Sequence, residues 1–112
     1  MKEETRRAIA HAAAARIKGR SGGTVYSYDA GRHTHMSGSG ANAYDHDAGA
    51  HISGSSSGLY HHGLGSHITL NVNGNSFSGY DHGDGHHFSG TVNGDSVQLY
   101  DHGEGRHFNY QA

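Results

Sequence analysis

The sequence predicts an all-β fold with one N-terminal α-helix, in which about ten short strands form an antiparallel meander that is curled or barrel-like. Three observations predict this class. A Tyr followed by Asp or His recurs five times, apolar and polar residues alternate through most of the chain, and 19 glycines without any proline mark the turns. Alternation with period two is typical of strands that cover one face, and a motif that recurs at regular spacing indicates a repeat architecture.

An amphipathic helix is predicted before the repeats. Residues 3 to 18 are rich in Ala and contain no Gly or Pro, which favours a helix. Ile9, Ala13 and Ile17 recur at helical spacing and form one narrow apolar stripe. Gly19 follows directly, and glycine is the residue that most often ends a helix.

The charges divide the single domain into two parts. The N-terminal amphipathic helix, residues 1–20, carries six of the eight basic side chains, whereas the β-hairpin repeat domain, residues 21–112, carries eight of the ten acids and twelve of the thirteen histidines. With only two basic side chains, the repeat domain is a poor candidate for binding nucleic acid. The absence of Cys fits a cytoplasmic location, and no stretch is long and apolar enough to span a membrane.

Each repeat has the order Tyr, Asp or His, a glycine-containing turn, His and an apolar residue. The tyrosines are 16, 16, 20 and 20 residues apart, and a His follows each of them by seven positions. Because every spacing is even, we expect the alternation of the two faces to continue unbroken through all repeats. The defining pairs are Tyr28–His35, Tyr44–His51, Tyr60–His67, Tyr80–His87 and Tyr100–His107.

This parity predicts which residues share a face. The tyrosines and most apolar residues are even-numbered and would lie together, while the Asp and His residues of the repeats would lie mainly on the other face. A few apolar residues depart from the rule, namely Val25, Leu59, Phe77, Val97 and Leu99.

The glycines predict the turns. "GLG", "GDG" and "GEG" are interpreted as three-residue hairpin loops whose last Gly adopts the left-handed conformation. Gly49 fills the same slot in the second repeat, and in the first repeat His33 does, where it would be strained. The three loops span 63–65, 83–85 and 103–105, and the other turns centre near Gly40, Ser56, Gly74 and Gly94.

The loop length then predicts the strand register. A three-residue loop pairs each Tyr with the apolar residue of its repeat and each Asp with the His. In the fourth repeat the predicted pairs are Tyr80–Phe88, Asp81–His87 and His82–His86.

The Asp and His residues would form one row across the strands, and we interpret this row as the feature that sets register. Acid and imidazole mostly alternate along it, and such cross-strand pairs contribute roughly 0.2–1 kcal/mol each. The row comprises Asp29, His35, Asp45, His51, His61, His67, Asp81, His87, Asp101 and His107.

Two other topologies are compatible with the repeats. A β-solenoid with one repeat per coil would stack Asp on Asp, which is unfavourable, and an intertwined oligomeric β-structure is permitted by the even repeats. A flat sheet of ten strands would be on the order of 48 Å wide, and a helix of about 24 Å could not cover it. We therefore expect the sheet to curl or a second subunit to cover it, and we expect a homo-oligomer.

The histidines support a second hypothesis, transition-metal binding, because imidazole suits Zn, Ni, Cu and Fe. His33 and His35 would share one strand face, and His82 and His86 would face each other beside a turn. The sequence contains no HExxH motif or other defined ligand spacing. The leading interpretation therefore expects no cofactor.

Function is predicted less sharply than fold. There is no GxSxG nucleophile motif, and an Asp–His pair that recurs argues against a unique catalytic site. The sequence predicts a small non-enzymatic β-repeat protein that acts as a structural or protein-interaction module, its Asp–His pairs setting register. The alternative is a metal-binding protein that uses the histidine array.

Overall fold

The computed structural model describes residues 1–19, 23–38, 42–55 and 58–112. Within these residues the chain forms one helix followed by ten strands. The helix has the predicted bounds, and Gly19 ends it in the left-handed conformation with a φ of 69°. The elements are α1 (Glu3–Lys18), β1 (Thr24–Ser27), β2 (Arg32–Gly38), β3 (Asn42–Asp45), β4 (Ala50–Ser55), β5 (Gly58–His61), β6 (Ser66–Asn73), β7 (Ser76–Asp81), β8 (His86–Asn93), β9 (Ser96–Asp101) and β10 (Arg106–Gln111).

The ten strands form a closed antiparallel barrel, which confirms the predicted meander and its barrel-like curvature. Each strand pairs with its neighbours in the chain, and β1 closes the barrel by pairing with β10 through Tyr26–Gln111 and Ser27–Tyr110. A closed sheet has no open edge. A second subunit was expected because a wide sheet would be left uncovered, and the closed barrel has no such sheet. The homo-oligomer therefore stays a prediction.

The helix runs inside the barrel and fills it. Residues 7 to 15 are all buried, and α1 contacts both β1 and β6, which lie on opposite sides of the barrel. The sequence predicted that only one narrow apolar stripe of the helix would be buried. The barrel wall instead surrounds the helix, so all its faces are buried. Eight-stranded barrels are just wide enough for side chains, so ten strands leave room for a helix whose side chains are mostly Ala. No helix in the described part of the chain is long and apolar enough to cross a membrane.

The predicted register is wrong by one residue. In the β7–β8 hairpin, Tyr80 lies opposite His87, Asp81 opposite His86, and Gly79 opposite Phe88. Residues directly opposite each other share a face of the sheet. In the second to fifth repeats the Tyr and the His therefore face outward together, while the Asp, or His61 in the third repeat, and the apolar residue face the barrel interior. The Asp–His row across the strands does not form.

Loop length explains the error. The turns have four residues, as in 82–85, and the amide of Gly85 donates a hydrogen bond to the carbonyl of Asp81 at 2.8 Å. A loop with an even number of residues exchanges odd and even positions between the two strands that it joins. The odd-numbered exceptions are thus the inward residues of the odd-numbered strands: Val25 in β1, Leu59 in β5, Phe77 in β7, and Val97 and Leu99 in β9.

The first repeat begins two residues earlier than predicted. Tyr26, not Tyr28, lies opposite a histidine, His33, and residues 28–31 form the turn. Gly31 takes the left-handed position with a φ of 67°, so the predicted strain at His33 is absent, and no described residue other than Gly has a positive φ. The left-handed conformation predicted for the turn glycines is confirmed at Gly49, Gly65, Gly85 and Gly105.

Two of the other predicted turns, at Gly74 and Gly94, lie within the described residues. Gly74 and Gly94 have positive φ in two-residue turns between Asn73 and Ser76 and between Asn93 and Ser96. A glycine with positive φ at the first central position suits the right-handed twist of a hairpin. The predicted turn centres at Gly40 and Ser56 lie outside the described residues.

Candidate functional site

The outer wall carries a band of tyrosines, each held between two histidines. The first histidine opens the turn after the Tyr, and the second lies opposite the Tyr on the next strand. Ring centroids within these contacts are 4.7 to 4.9 Å apart. We call this the Tyr–His band, and its four units are Tyr44 with His46 and His51, Tyr60 with His62 and His67, Tyr80 with His82 and His87, and Tyr100 with His102 and His107.

A hydroxyl group anchors the turn histidine of each unit. The imidazole Nε2 lies within hydrogen-bond distance of a Ser or Thr hydroxyl on the preceding strand. No carboxylate hydrogen-bonds these four imidazoles within the described chain. The distances are 3.1 Å for Ser37–His46, 2.7 Å for Ser53–His62, 3.0 Å for Thr69–His82 and 3.4 Å for Ser89–His102.

Three neighbouring grooves follow this band over strands β4 to β10. Their volumes are about 520, 570 and 480 Å³, and all three are open to solvent. Each groove contains the Tyr of one unit and its strand histidine, and the first two also contain the turn histidine of the next unit. We call them the outer grooves and name them by their tyrosines, Tyr60, Tyr80 and Tyr100.

The side chains that line the outer grooves, other than His, carry no formal charge at neutral pH. The residues that line them are Ser, Thr, Asn, Gln, Gly, Tyr, His and a few apolar side chains, and no described lining residue is Lys, Arg, Asp or Glu. The Tyr80 groove is lined by the rings of Tyr80, His87 and His102 and by Ser78 and Ser89, among others. Such a surface offers aromatic rings and neutral hydrogen-bonding groups together.

The histidines predicted as metal ligands do not gather at one point. His33 and His35 are both exposed on β2, so they share a strand face as predicted. His82 opens a turn, whereas His86 begins β8 opposite Asp81, so these two do not face each other. Among the described residues, no group of three or more His, Cys, Asp or Glu side chains could hold a metal ion.

The residues of the predicted Asp–His row are separated by the barrel wall. One set faces inward at the barrel end where the four-residue turns lie, and we call it the inner rim. Asp29 instead lies in the first turn, where it accepts hydrogen bonds from Arg106 and the amide of Asn109, each at 2.8 Å, and helps to close the barrel. The inner rim comprises Ser27, Asp45, His61, Asp81 and Asp101, and the outward members of the row are His35, His51, His67, His87 and His107.

Each inner-rim side chain caps the turn that follows it. Asp45 Oδ1 accepts hydrogen bonds from the amides of Asp47 and Ala48, both at 3.0 Å, and Asp101 accepts those of Gly103 and Glu104. Short polar side chains commonly satisfy turn amides in this way. The Asp residues of the repeats therefore set the turns and not the pairing of the strands.

Cationic groups of Met1 and Arg7 pair with two of the three inner-rim carboxylates. Arg7 Nε donates to Asp45 Oδ2 at 2.8 Å, and neither residue is more than 5% exposed. The α-amino group of Met1 donates to Asp101 at 2.9 Å. Burial on its own would raise the pKa of Asp101, but this ammonium and the turn amides hold the pKa below its ordinary value. At Asp81, burial dominates and raises the pKa of the carboxyl group.

Comparison with protein-family models, with curated proteins and with solved structures finds no match to this chain. Its function is therefore inferred from the geometry of the outer grooves and of the inner rim.

Proposed function

We propose that the protein is a non-enzymatic interaction module, and that its partner binds along the outer grooves. The observation that carries the proposal is the recurrence of one groove, with the same Tyr and His wall, three times side by side. Repeated equivalent sites favour a partner that engages several at once, because linked contacts raise the overall affinity. The barrel filled by α1 supplies a rigid support for them.

The groups that catalysis would need are engaged elsewhere, which supports a non-enzymatic role. The inner-rim carboxylates of Asp45 and Asp101 cap turns and pair with the charged groups of Arg7 and Met1. The hydroxyl–imidazole contacts on the outer wall recur four times, whereas a catalytic site is normally built once. Function has to be argued from such sites and not from the fold.

The chemistry of the grooves favours a neutral partner surface. An uncharged lining gives no attraction to phosphate, so nucleic acid is disfavoured. Tyr and His rings beside Ser, Thr and Asn suit partners that combine apolar faces with hydroxyl or amide groups. We place the protein in the cytoplasm on the absence of Cys.

A fragment titration followed by NMR tests the proposal. We expect phenol, acetamide and methyl α-glucoside to shift the amide signals of the Tyr60, Tyr80 and Tyr100 grooves more than those of any other surface. Tyr80→Ser should reduce the shifts in its groove at least threefold, because it removes the ring from the wall.

Tyr28→Ser is the matched control, since Tyr28 is 57% exposed and lies outside the outer grooves. It should leave the groove shifts unchanged. Fragments that bind nowhere, or that bind mainly at the barrel ends, would contradict the proposal.

Metal binding is the second candidate, and one contact favours it. The ring centroids of His35 and His46 are 4.8 Å apart, and both imidazoles are exposed. Two neighbouring exposed imidazoles offer two of the ligands that Zn or Ni takes in proteins. We expect Ni²⁺ titrated into untagged protein to broaden the signals of His35 and His46 first, and His46→Asn to abolish this. His86→Asn is the control, and an equal loss in that variant would remove this candidate.

A further inference from the structure

A cleft at the inner rim is separate from the outer grooves. It has a volume of about 540 Å³ and lies between the start of α1 and the turns that follow β1, β3 and β5. Side chains of both charges line it, including Glu4 and Arg7 from the helix, Arg32, Asp47 and His61. We call it the rim cleft. A concave site with a few convergent polar groups is the usual form of a small-molecule site.

His61 in the wall of this cleft breaks the repeat. The equivalent position holds Asp in the second, fourth and fifth repeats, at Asp45, Asp81 and Asp101. The imidazole performs the same capping task, because its Nδ1 accepts a hydrogen bond from the amide of Leu64 at 3.2 Å. An imidazole nitrogen that accepts a hydrogen bond carries no proton, so in the neutral ring the proton is on Nε2.

The Nε2–H group of His61 donates no hydrogen bond to any described residue. The residue is 1% exposed, and Nε2 has no hydrogen-bond partner among the described residues. A buried donor left without an acceptor destabilises a fold, so such a group in a native structure requires an explanation. Asp at this position would cap the turn and leave no orphan donor, as Asp45 does beside Arg7.

The electrostatic environment keeps this group a donor at neutral pH. Burial lowers the pKa of His61, although the nearby carboxylates of Asp45 and Glu4 act against this. The ring is therefore neutral at pH 7, and its single N–H is on Nε2. Glu4 and Arg7 supply opposite charges in the same cleft.

We propose that the rim cleft binds a small zwitterion, of which the free α-amino acids are the simplest. Its carboxylate accepts the hydrogen bond from His61 Nε2, and its ammonium group faces Glu4. The guanidinium groups of Arg7 and Arg32 also line the cleft, but they are paired with Asp45 and Asp47. A simple anion would meet the Glu4 carboxylate without a positive group to balance it, whereas Asp47 is already paired with Arg32 at 2.9 Å. A simple cation would leave the His61 donor unpaired. The ligand thus supplies an acceptor for the His61 donor and a positive charge for Glu4.

Titration of a panel of free L-amino acids, followed by NMR of the His61 ring and of the Gly63 and Leu64 amides, tests this proposal. At least one amino acid should produce saturable shifts, whereas acetate and methylamine should bind at least tenfold more weakly. His61→Asp restores the residue of the other repeats and its turn cap, and it should weaken binding at least tenfold because the donor is replaced by an anion. His61→Asn retains both a capping oxygen and an N–H donor, and it should lose less affinity than His61→Asp.

Three results would overturn the proposal: no shift with any amino acid, binding of acetate as tight as that of the amino acids, or unchanged binding by His61→Asp. Melting curves of both variants establish that they fold. Tyr80→Ser, which alters an outer groove, should leave amino acid binding unchanged, so that a failure at the rim cleft is separable from a failure at the outer grooves.

Discussion

Replacing Arg7 by Met is expected to lower the free energy of unfolding by about 3–5 kcal/mol, because it leaves a buried carboxylate without its partner. Asp45 is 0% exposed, and its Oδ2 receives the Arg7 Nε hydrogen bond at 2.8 Å. Met retains much of the length of the Arg side chain, so the decrease in stability measures mainly the loss of the Arg7 charge. Urea denaturation followed by circular dichroism measures it.

Two further variants make this test specific. The double variant Arg7→Met with Asp45→Asn should recover part of the loss, because the remaining amide is neutral. Arg106→Met breaks an exposed pair with Asp29, in which the Arg side chain is 57% exposed, and should cost no more than about 1 kcal/mol. If Arg7→Met behaved like Arg106→Met, the Arg7 guanidinium would not be what stabilises the buried Asp45 carboxylate.

Replacing Ala13 by Leu is expected to lower the free energy of unfolding by about 1–3 kcal/mol, because a closed wall surrounds the helix and leaves no space for three more carbon atoms. Ala13 is 0% exposed, and Leu is nearly as good a helix former as Ala, so helix propensity contributes little. On a helix that merely covered one sheet face, added apolar area at the interface would tend to stabilise.

Lys18→Leu is the matched control for this overpacking. Lys18 is exposed at the end of α1, and substitution there should change the stability by no more than about 0.5 kcal/mol. A stability gain in Ala13→Leu, measured by thermal and urea unfolding, would place the helix outside the barrel.

Much of the architecture could be predicted from the sequence because local signals agree with it. The Ala-rich run and Gly19 defined α1, and the glycines at 49, 65, 85 and 105 identified the turns. The width of ten strands against the length of one helix predicted that the sheet either curls or is covered by a second subunit, and the closed barrel shows that it curls. These features depend on residues close in sequence or on simple dimensions.

The assignment of faces could not be predicted in the same way, because it depends on the exact number of loop residues. Because the loops have four residues and not three, Asp45, Asp81 and Asp101 cap turns at the inner rim and do not lie in an outward row. The signal that could have corrected this was present, since Leu59, Phe77 and Leu99 break the even-numbered rule in alternate strands. In a hairpin with an even loop, apolar residues exchange parity at every turn.

The role of His61 was missed for a related reason. In the repeat alignment it appears as a variant member of the Asp–His row, and only the three-dimensional structure shows that its Nδ1 caps a turn while its Nε2 is buried without an acceptor. The sequence did contain a signal for this role. His61 replaces the Asp that caps the turn in three other repeats.

Amide hydrogen exchange in α1 tests most directly whether the barrel is closed around its helix, which is the reason for assigning recognition to the outer wall. The amides of Ala8 to Ala14 should exchange only through global unfolding, with the same protection as the central strands β6 to β9. Exchange in α1 that is faster than in these strands by a hundredfold or more would show that the helix leaves the barrel while the strands stay folded, and would contradict the filled interior.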